Sequence, residues 1–269
     1  MAGTLYFVAT PIGNMKDITY RAVETLNTVD AILCEDTRHS GILLKEYNIS
    51  KPLYSFHKFN YKKVIPTYIK MLLDGKNLAL ISDAGMPSIS DPGQEIISEL
   101  LKNNISYTII PGASAGLSAL VLSGFETQNF CFLGFLPEKK VNDYLNAYLY
   151  IPATLVFYSA VHDIQKDIKT LYEILGDRKI AVVREITKKF EEVTFSTLKD
   201  NYNGELKGEF VIIVEGNKET NKELNNLTIE EHLKFYMDLG NTKQEATKLV
   251  AKDRGVAKNE IYKAVLNIK

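Results

Sequence analysis

Between residues 4 and 110 the chain alternates short apolar runs with amphipathic segments, and this alternation limits the fold more than any other feature. Residues 4–9, 31–34, 53–56, 77–81 and 107–110 are apolar runs of strand length. Between them, Ala22, Val23 and Leu26 mark a helix over 18–26, with Asp17 as its expected N-cap. A short helix is expected over 41–47. Ile65, Tyr68, Ile69 and Leu72 recur at helical spacing, as do Ile96, Ile97, Leu100 and Leu101. Strands separated by helices must pair in parallel, because a hairpin cannot accommodate a helix between its strands. The prediction is an α/β lobe with a parallel or mostly parallel sheet.

A second α/β lobe is expected to follow. Residues 131–134, 154–158, 180–183 and 210–214 read as strands, with a further strand near 193–195. Ile164, Ile168, Leu171 and Leu175 stripe a helix. The expected division is 1–123 for the first lobe, 124–216 for the second and 217–227 for a polar linker. Residues 228–269 would form an all-helical module. In that module Thr228 reads as a cap, and Thr242 with Glu245 matches a capping box. Gly255 ends that helix, and 258–267 forms another. From Asn241 onward seven Lys or Arg face three acids, a local surplus of 7 − 3 = +4 in a chain of net charge -1. A basic helix-turn-helix reader of nucleic acid and a solvated helical cap both fit this pattern.

With 45% hydrophobic and 24% charged residues the chain is an ordinary globular protein. Cys34 and Cys131 sit in apolar runs and are expected to be buried, reduced thiols. No run approaches the ~18 apolar residues of a membrane span. No basic-then-apolar leader opens the chain. The expected location is cytoplasmic.

Four loops follow predicted strands, at the sheet edge where open α/β folds bind ligands. They are Pro11-Ile12-Gly13-Asn14, Glu35-Asp36-Thr37-Arg38-His39, the stretch SDAGMPSISDPG from Ser82 to Gly93, and Pro111-Gly112-Ala113-Ser114-Ala115-Gly116. The third is longer than a connection requires. A tight turn with Asp91 as N-cap and Pro92 as first helical residue accounts for its end, but not for Asp83-Ala84-Gly85. Small residues there let a ligand approach the backbone. The second loop gathers two carboxylates, a guanidinium and an imidazole, either as an ion-pair cluster capped by Thr37 or as chemistry. His57 reads as a hydrogen-bonded structural group. Neither G-x-G-x-x-G after the first strand nor a P-loop is present. The loops suit a compact ligand of mixed charge rather than a triphosphate.

Taken in order, TPIGN, CEDTR, SDAGMPSISDPG, PGASAG, FLGFLP, REITKKFE and GEFVIIVEG resemble the signature series of the RsmI-type ribosomal RNA methyltransferases. That group lies within the tetrapyrrole (corrin/porphyrin) methylase superfamily. The resemblance runs from Leu5 to about Gly216, and the tail is similar to the helix-turn-helix module that ends many members. It implies two α/β lobes with S-adenosylmethionine (SAM) in the cleft between them, no metal, and a homodimer. It implies 2'-O-ribose methylation of a cytidine, position 1402 of 16S rRNA, at the decoding centre of the small subunit. It carries cofactor contact to Pro11, Asp83, Ala84, Gly85, Ser88, Ser114, Ala115, Ser159 and Ile186. Asp36 and Glu35 are the candidate bases or acceptors for the 2'-hydroxyl, with Arg38 and Lys188 holding phosphates and His57 a lesser candidate. One stretch departs from the pattern. Where the family commonly has an acid and then Ser/Ala-Pro-His-Arg, this chain reads Ser159-Ala160-Val161-His162-Asp163, keeping only the His. A tetrapyrrole methylase and an RNA-binding protein without catalysis remain as alternatives. The basic tail speaks against the first.

Overall fold

The computed structural model describes residues 1–217 and 224–266, and forms two compact units. The first comprises Met1–Asn146 and Ala153–Glu215, and the second Ala147–Pro152 and Gly216–Lys269.

The first unit contains two five-stranded sheets. Sheet one takes β1 (Leu5–Val8), β2 (Ala31–Cys34), β3 (Leu53–Ser55), β4 (Leu78–Leu80) and β5 (Tyr107–Ile110) in the order β3-β2-β4-β1-β5. Every pairing is parallel, as the alternation predicts. Strand side chains alternate between the two faces. Leu5, Phe7, Leu33, Leu78 and Leu80 meet Ile65, Tyr68, Ile69 and Leu72 of α3 (Tyr61–Leu73) and Ile96 and Leu100 of α4 (Gln94–Lys102). Val8, Ile32, Cys34, Ala79 and Ile81 meet Ala22 and Leu26 of α1 (Tyr20–Thr28) and Leu44 of α2 (Thr37–Glu46). Full burial of each such Leu or Ile stabilises by about 1.5–3 kcal/mol relative to exposure.

The helix starts differ from expectation in a consistent way. Thr19, not Asp17, caps α1 by accepting from the Ala22 N–H, and Asp17 closes a single 3-10 turn instead. Asp36, not Thr37, caps α2. Asp91 does not cap α4; the helix starts after Gly93, whose φ of +156° suits only glycine.

Sheet two takes β6 (Phe130–Phe135), β7 (Thr154–Ser159), β8 (Lys179–Arg184), β9 (Glu192–Thr197) and β10 (Phe210–Val214) in the order β6-β7-β10-β8-β9. Only β6 and β7 are parallel. β10 runs antiparallel between β7 and β8, and β9 closes a hairpin on β8. Three helices complete the unit: α5 (Ala115–Leu122), α6 (Val141–Asn146) and α7 (Ile164–Leu175). Cys131 is only half-buried, unlike Cys34, and both thiols are free.

The second unit is helical: α8 (Ile229–Asp238), α9 (Lys243–Arg254) and α10 (Lys258–Leu266). Capping boxes start α8 at Thr228–Glu231 and α9 at Thr242–Glu245, and Gly255 ends α9 in the left-handed conformation. Of the stretch read as a linker, 218–223 lie outside the described residues, as does Asn267 of the third expected helix. Leu224–Asn226 forms a turn with Leu224 buried. Residues 147–152 join this unit: Asn217 donates to Leu149 O and Ile151 O, and the Tyr150 and Phe235 rings pack edge to face.

Inside the module His232 is fully buried. Its Nε2 lies 3.1 Å from Asp253 Oδ2, and its Nδ1 accepts from Arg254 Nε at 3.3 Å. Arg254 also donates to Leu227 O, and Tyr236 to Asp253. Burial, opposed by Asp253 and aided by Arg254, lowers the His232 pKa. A neutral ring that donates from Nε2 and accepts at Nδ1 satisfies both neighbours. Arg254, one of the seven basic residues of the tail, is therefore half-buried and held by the module's own hydrogen bonds. Among the described residues no helix is long and apolar enough to cross a membrane.

Candidate functional site

Because β2, β4, β1 and β5 are adjacent and parallel, the loops that follow them emerge side by side at one sheet edge. Backbone hydrogen bonds join them. Thr10 N–H donates to Gly85 O at 2.9 Å and Gly85 N–H to Thr10 O at 3.1 Å, a two-bond bridge between the first and third loops. Buried Thr10 and Ser82 hydroxyls reinforce it, the first bonding Ser82 O at 3.2 Å, the second Ala84 O at 3.2 Å and Gly85 O at 3.3 Å. Gly85 has φ +78°, and a Cβ there would lie 3.2 Å from Ile12 Cγ2 and 3.7 Å from Ala113 O. It is the point where the first, third and fourth loops meet. Asp83 Oδ1 accepts from the Asp36 N–H at 3.4 Å, which ties in the second loop.

The third loop is tightly wound. Ser88 and Ser90 both have positive φ, and a Cβ on Gly93 would overlap Ser88 Oγ. Strained residues of this kind concentrate at ligand sites. Ser88 Oγ is buried without a hydrogen-bond partner. Ser114 is the N-cap of α5, yet its side chain makes no capping bond. The first amides of α5 are therefore not capped by Ser114, and one of them, Gly116 N–H, donates to Tyr158 Oη at 3.3 Å.

The residues expected to hold a cofactor divide into two groups. Pro11, Asp83, Ala84, Gly85, Ser88, Ser114 and Ala115 lie on these joined loops. Ile186 is buried in one apolar cluster with Ile12, against which Ala113 and Ala115 pack. Ser159 stands apart: it is buried, and its hydroxyl donates to Asp167 at 2.6 Å. That bond uses an acid one helical turn into α7, in a stretch that departs from the family pattern.

The polar candidates are engaged to different degrees. Asp36 accepts from the Arg38 backbone at 2.8 Å and from its guanidinium at 3.0 and 3.3 Å. Arg38 thereby holds the Asp36 carboxyl at about 2, which makes it a poor proton acceptor. The Arg38 side chain is 90% exposed, so the pair adds little to stability. Lys188 bonds Glu185 at 2.9 Å and Glu209 at 2.7 Å; burial pulls its pKa down, and the two carboxylates raise it further than burial lowers it. Its stem packs where a Gly13 Cβ would sit, and Thr187 Oγ1 accepts from Asn14 N–H at 3.1 Å. The turn after β8 is thus fastened to the first loop. His57 accepts at Nδ1 from Phe59 N–H at 3.2 Å, the structural role expected of it.

Sequence reading missed Asp91. Freed from capping, it lies half-buried in the third loop. Burial and the nearby Glu35 and Asp83 carboxylates push it up to about 6, against a hydrogen bond from Ser82 that lowers it. Its charge also acts on Tyr158 of β7. Only the folded chain brings Glu35, from another strand end, beside it.

The family model for tetrapyrrole (corrin/porphyrin) methylases matches residues 4–201. A relative from Bacillus subtilis named ribosomal RNA small subunit methyltransferase I is 43% identical, with 97% of this chain and 94% of the relative aligned. One of the same name from Haemophilus influenzae is 39% identical over 97% of this chain and 96% of its own. Two solved structures share the fold at low identity. A uroporphyrin-III-C-methyltransferase from Thermus thermophilus has TM-score 0.58 at 19% identity, covering 79% of this chain and 94% of that one. A diphthine synthase has TM-score 0.63 at 15% identity, covering 79% and 90%. With joined loops at one parallel sheet edge, a mixed second sheet behind them and a match over most of its length, the chain belongs to the tetrapyrrole (corrin/porphyrin) methylase family.

Proposed function

We propose that this chain is a SAM-dependent methyltransferase acting on the ribose 2'-hydroxyl of a cytidine in small-subunit ribosomal RNA, in the cytoplasm and as a homodimer. The observation that carries the reading is the convergence of the strand-end loops on Gly85, in a chain whose relatives bear an rRNA methyltransferase name.

The residues present fit the cofactor. The unpartnered Ser88 hydroxyl, the unused Ser114 hydroxyl and the uncapped amides at the start of α5 are donors suited to a carboxylate or to ribose oxygens. Asp83 suits an ammonium or a ribose hydroxyl. Ala84, Gly85, Pro11 and Ala115 allow close backbone approach, and Ile186 supplies an apolar wall. When bound, the cofactor would supply an electrophilic methyl group. The joined loops would orient the ribose 2'-hydroxyl toward it. Asp91 would take the hydroxyl proton. Burial, aided by Glu35 and Asp83, keeps Asp91 proton-hungry, and Asp36 with Arg38 shapes the neighbouring wall. Arg38, almost wholly exposed, turns to a phosphate by giving up Asp36, and Lys188 by giving up Glu185 or Glu209.

A homodimer is supported by the apolar residues exposed between 107 and 132. Tyr107 and Ile109 lie on the free edge β5, Leu117, Val121 and Leu122 on α5, and Phe130 and Phe132 on the free edge β6. The deciding experiment incubates the protein with tritiated SAM and unmethylated 30S subunits or naked 16S rRNA, with sedimentation velocity alongside. Label in one ribose 2'-O-methylcytidine and a dimeric boundary are expected. Label only in a tetrapyrrole supplied in a parallel incubation, or RNA binding without label, would select one of the alternatives.

The tail is read as an RNA-binding module, and its interior sharpens the test. Lys243, Lys252 and Lys258 are exposed. Reversing all three to Glu is expected to weaken RNA binding about tenfold or more and to flatten its salt dependence, with the module still folded. Arg254→Glu should instead unfold the module, by stranding His232 and Leu227 O, and circular dichroism should report lost helix. Unchanged RNA affinity and salt slope in the triple variant would make the tail a cap.

A further inference from the structure

Two exposed phenylalanines, each with a lysine beside its ring, lie on turns near the joined loops, and the mechanism above uses neither. Phe59 is 85% exposed on the turn after β3, the strand at one end of sheet one. Lys58 Nζ lies 5.0 Å from its ring centroid, and the His57 ring packs edge-on at 6.1 Å. The turn is fixed: Phe59 N–H donates to His57 Nδ1, His57 N–H to Asn60 Oδ1 at 2.9 Å, and Asn60 Nδ2 to Ser55 O at 3.0 Å. From His57 to Lys63 there are three lysines and no acid. Phe190 is 63% exposed on the turn after β8, with Lys189 Nζ at 5.5 Å from its centroid. That turn is wound through positive φ at Glu185 and Thr187, pinned by Thr187 N–H to Glu191 Oε2 at 2.6 Å, and fastened to the first loop at Thr187.

We propose that Phe59 and Phe190 are stacking platforms for unpaired RNA bases near the methylation site. A ring held outward by a rigid turn loses little freedom when a base stacks on it. The lysine beside each ring is placed for the phosphate that flanks the stacked base, and it adds a cationic contact to the base itself. This combination suits single-stranded nucleic acid, whose every base has a π-face, better than a protein surface. The inference rests on the RNA reading above and names where that RNA lies.

Phe59→Ala, Phe190→Ala and the double variant test it in the full-length protein. The probe is a short fluorescein-labelled single-stranded RNA read by anisotropy, with SAM affinity by calorimetry and methylation of 30S subunits in parallel. Stacking predicts a loss of about tenfold in RNA affinity per ring, roughly additive in the double variant, with SAM affinity unchanged. Phe59→Trp and Phe190→Trp should restore binding. RNA affinity of the double variant equal to wild type, in a protein that still methylates subunits, would overturn the platforms and leave the methyltransferase reading intact. Wild-type protein that binds no RNA would overturn the platforms, and one that also fails to methylate subunits would overturn both.

Discussion

Asp91→Asn is expected to lower single-turnover methyl transfer by about 10²-fold or more and to leave SAM affinity within about threefold of wild type. It should also raise the melting temperature at pH 7.5. The two effects share one cause. The ordinary aspartate value is 3.8 and the folded value about 6. The folded protein therefore holds this proton more tightly than the unfolded chain does. Asp91's contribution is most favourable below the ordinary value, falls as pH rises toward about 6, and is level above it. At pH 7.5 the carboxylate is charged, half-buried and close to Glu35 and Asp83, an arrangement that costs stability and makes a competent base. Asparagine removes the cost and the base together. In the wild type, kcat/KM should climb between about pH 5 and 7 with a midpoint near 6, and the step should vanish in the variant. A variant that is both slower and less stable would mark Asp91 as structural. A rate within threefold of wild type would remove it from the chemistry.

Gly85→Val is expected to weaken SAM binding by roughly 100-fold, equivalent to about 2.7 kcal/mol. Valine is poorly tolerated at φ +78°, and its branches would press on Ile12 and on the Ala113 carbonyl. Relief would come by breaking the two bonds to Thr10, and the first and third loops would then part. Gly85→Ala carries the backbone cost with less bulk and should fall between the two. Calorimetry on folded protein, with the melting temperature as a control, measures this. Wild-type affinity in a folded Gly85→Val protein would take the loop out of the cofactor site.

How legible these features are in the sequence depends on how local their causes are. β2 and β10 begin and end where their apolar runs do, because a continuous buried strand contrasts with everything around it. Caps are less legible. At 17–19 and 36–37 two capping residues lie close together, and backbone geometry chooses between them. α6 escapes notice because Leu145 is its one buried residue. α5 is apolar on all sides and shows no period. The antiparallel pairings of sheet two are hidden because a run of apolar residues does not state its direction. The joined loops could be inferred, since parallel strands deliver their ends to one edge. Asp91 could not: its environment is made by its burial in the folded loop and by Glu35, far away in the chain. Arg254 looked like a surface cation until His232 and Leu227 claimed it.

The helical unit is assembled from two separated pieces of chain, Ala147–Pro152 and Gly216–Lys269. This governs how the module can be moved or made. During synthesis Leu149 and Ile151 emerge well before Asn217, so their bonds to it can form only after β7 to β10 have been translated. A chimera that exchanges the tail between homologues at the polar stretch would separate Tyr150 from the Phe235 it evolved beside. The exchangeable cassette is therefore the tail together with 147–152, a discontinuous graft with one junction at the end of β10 and two more bracketing the inserted peptide.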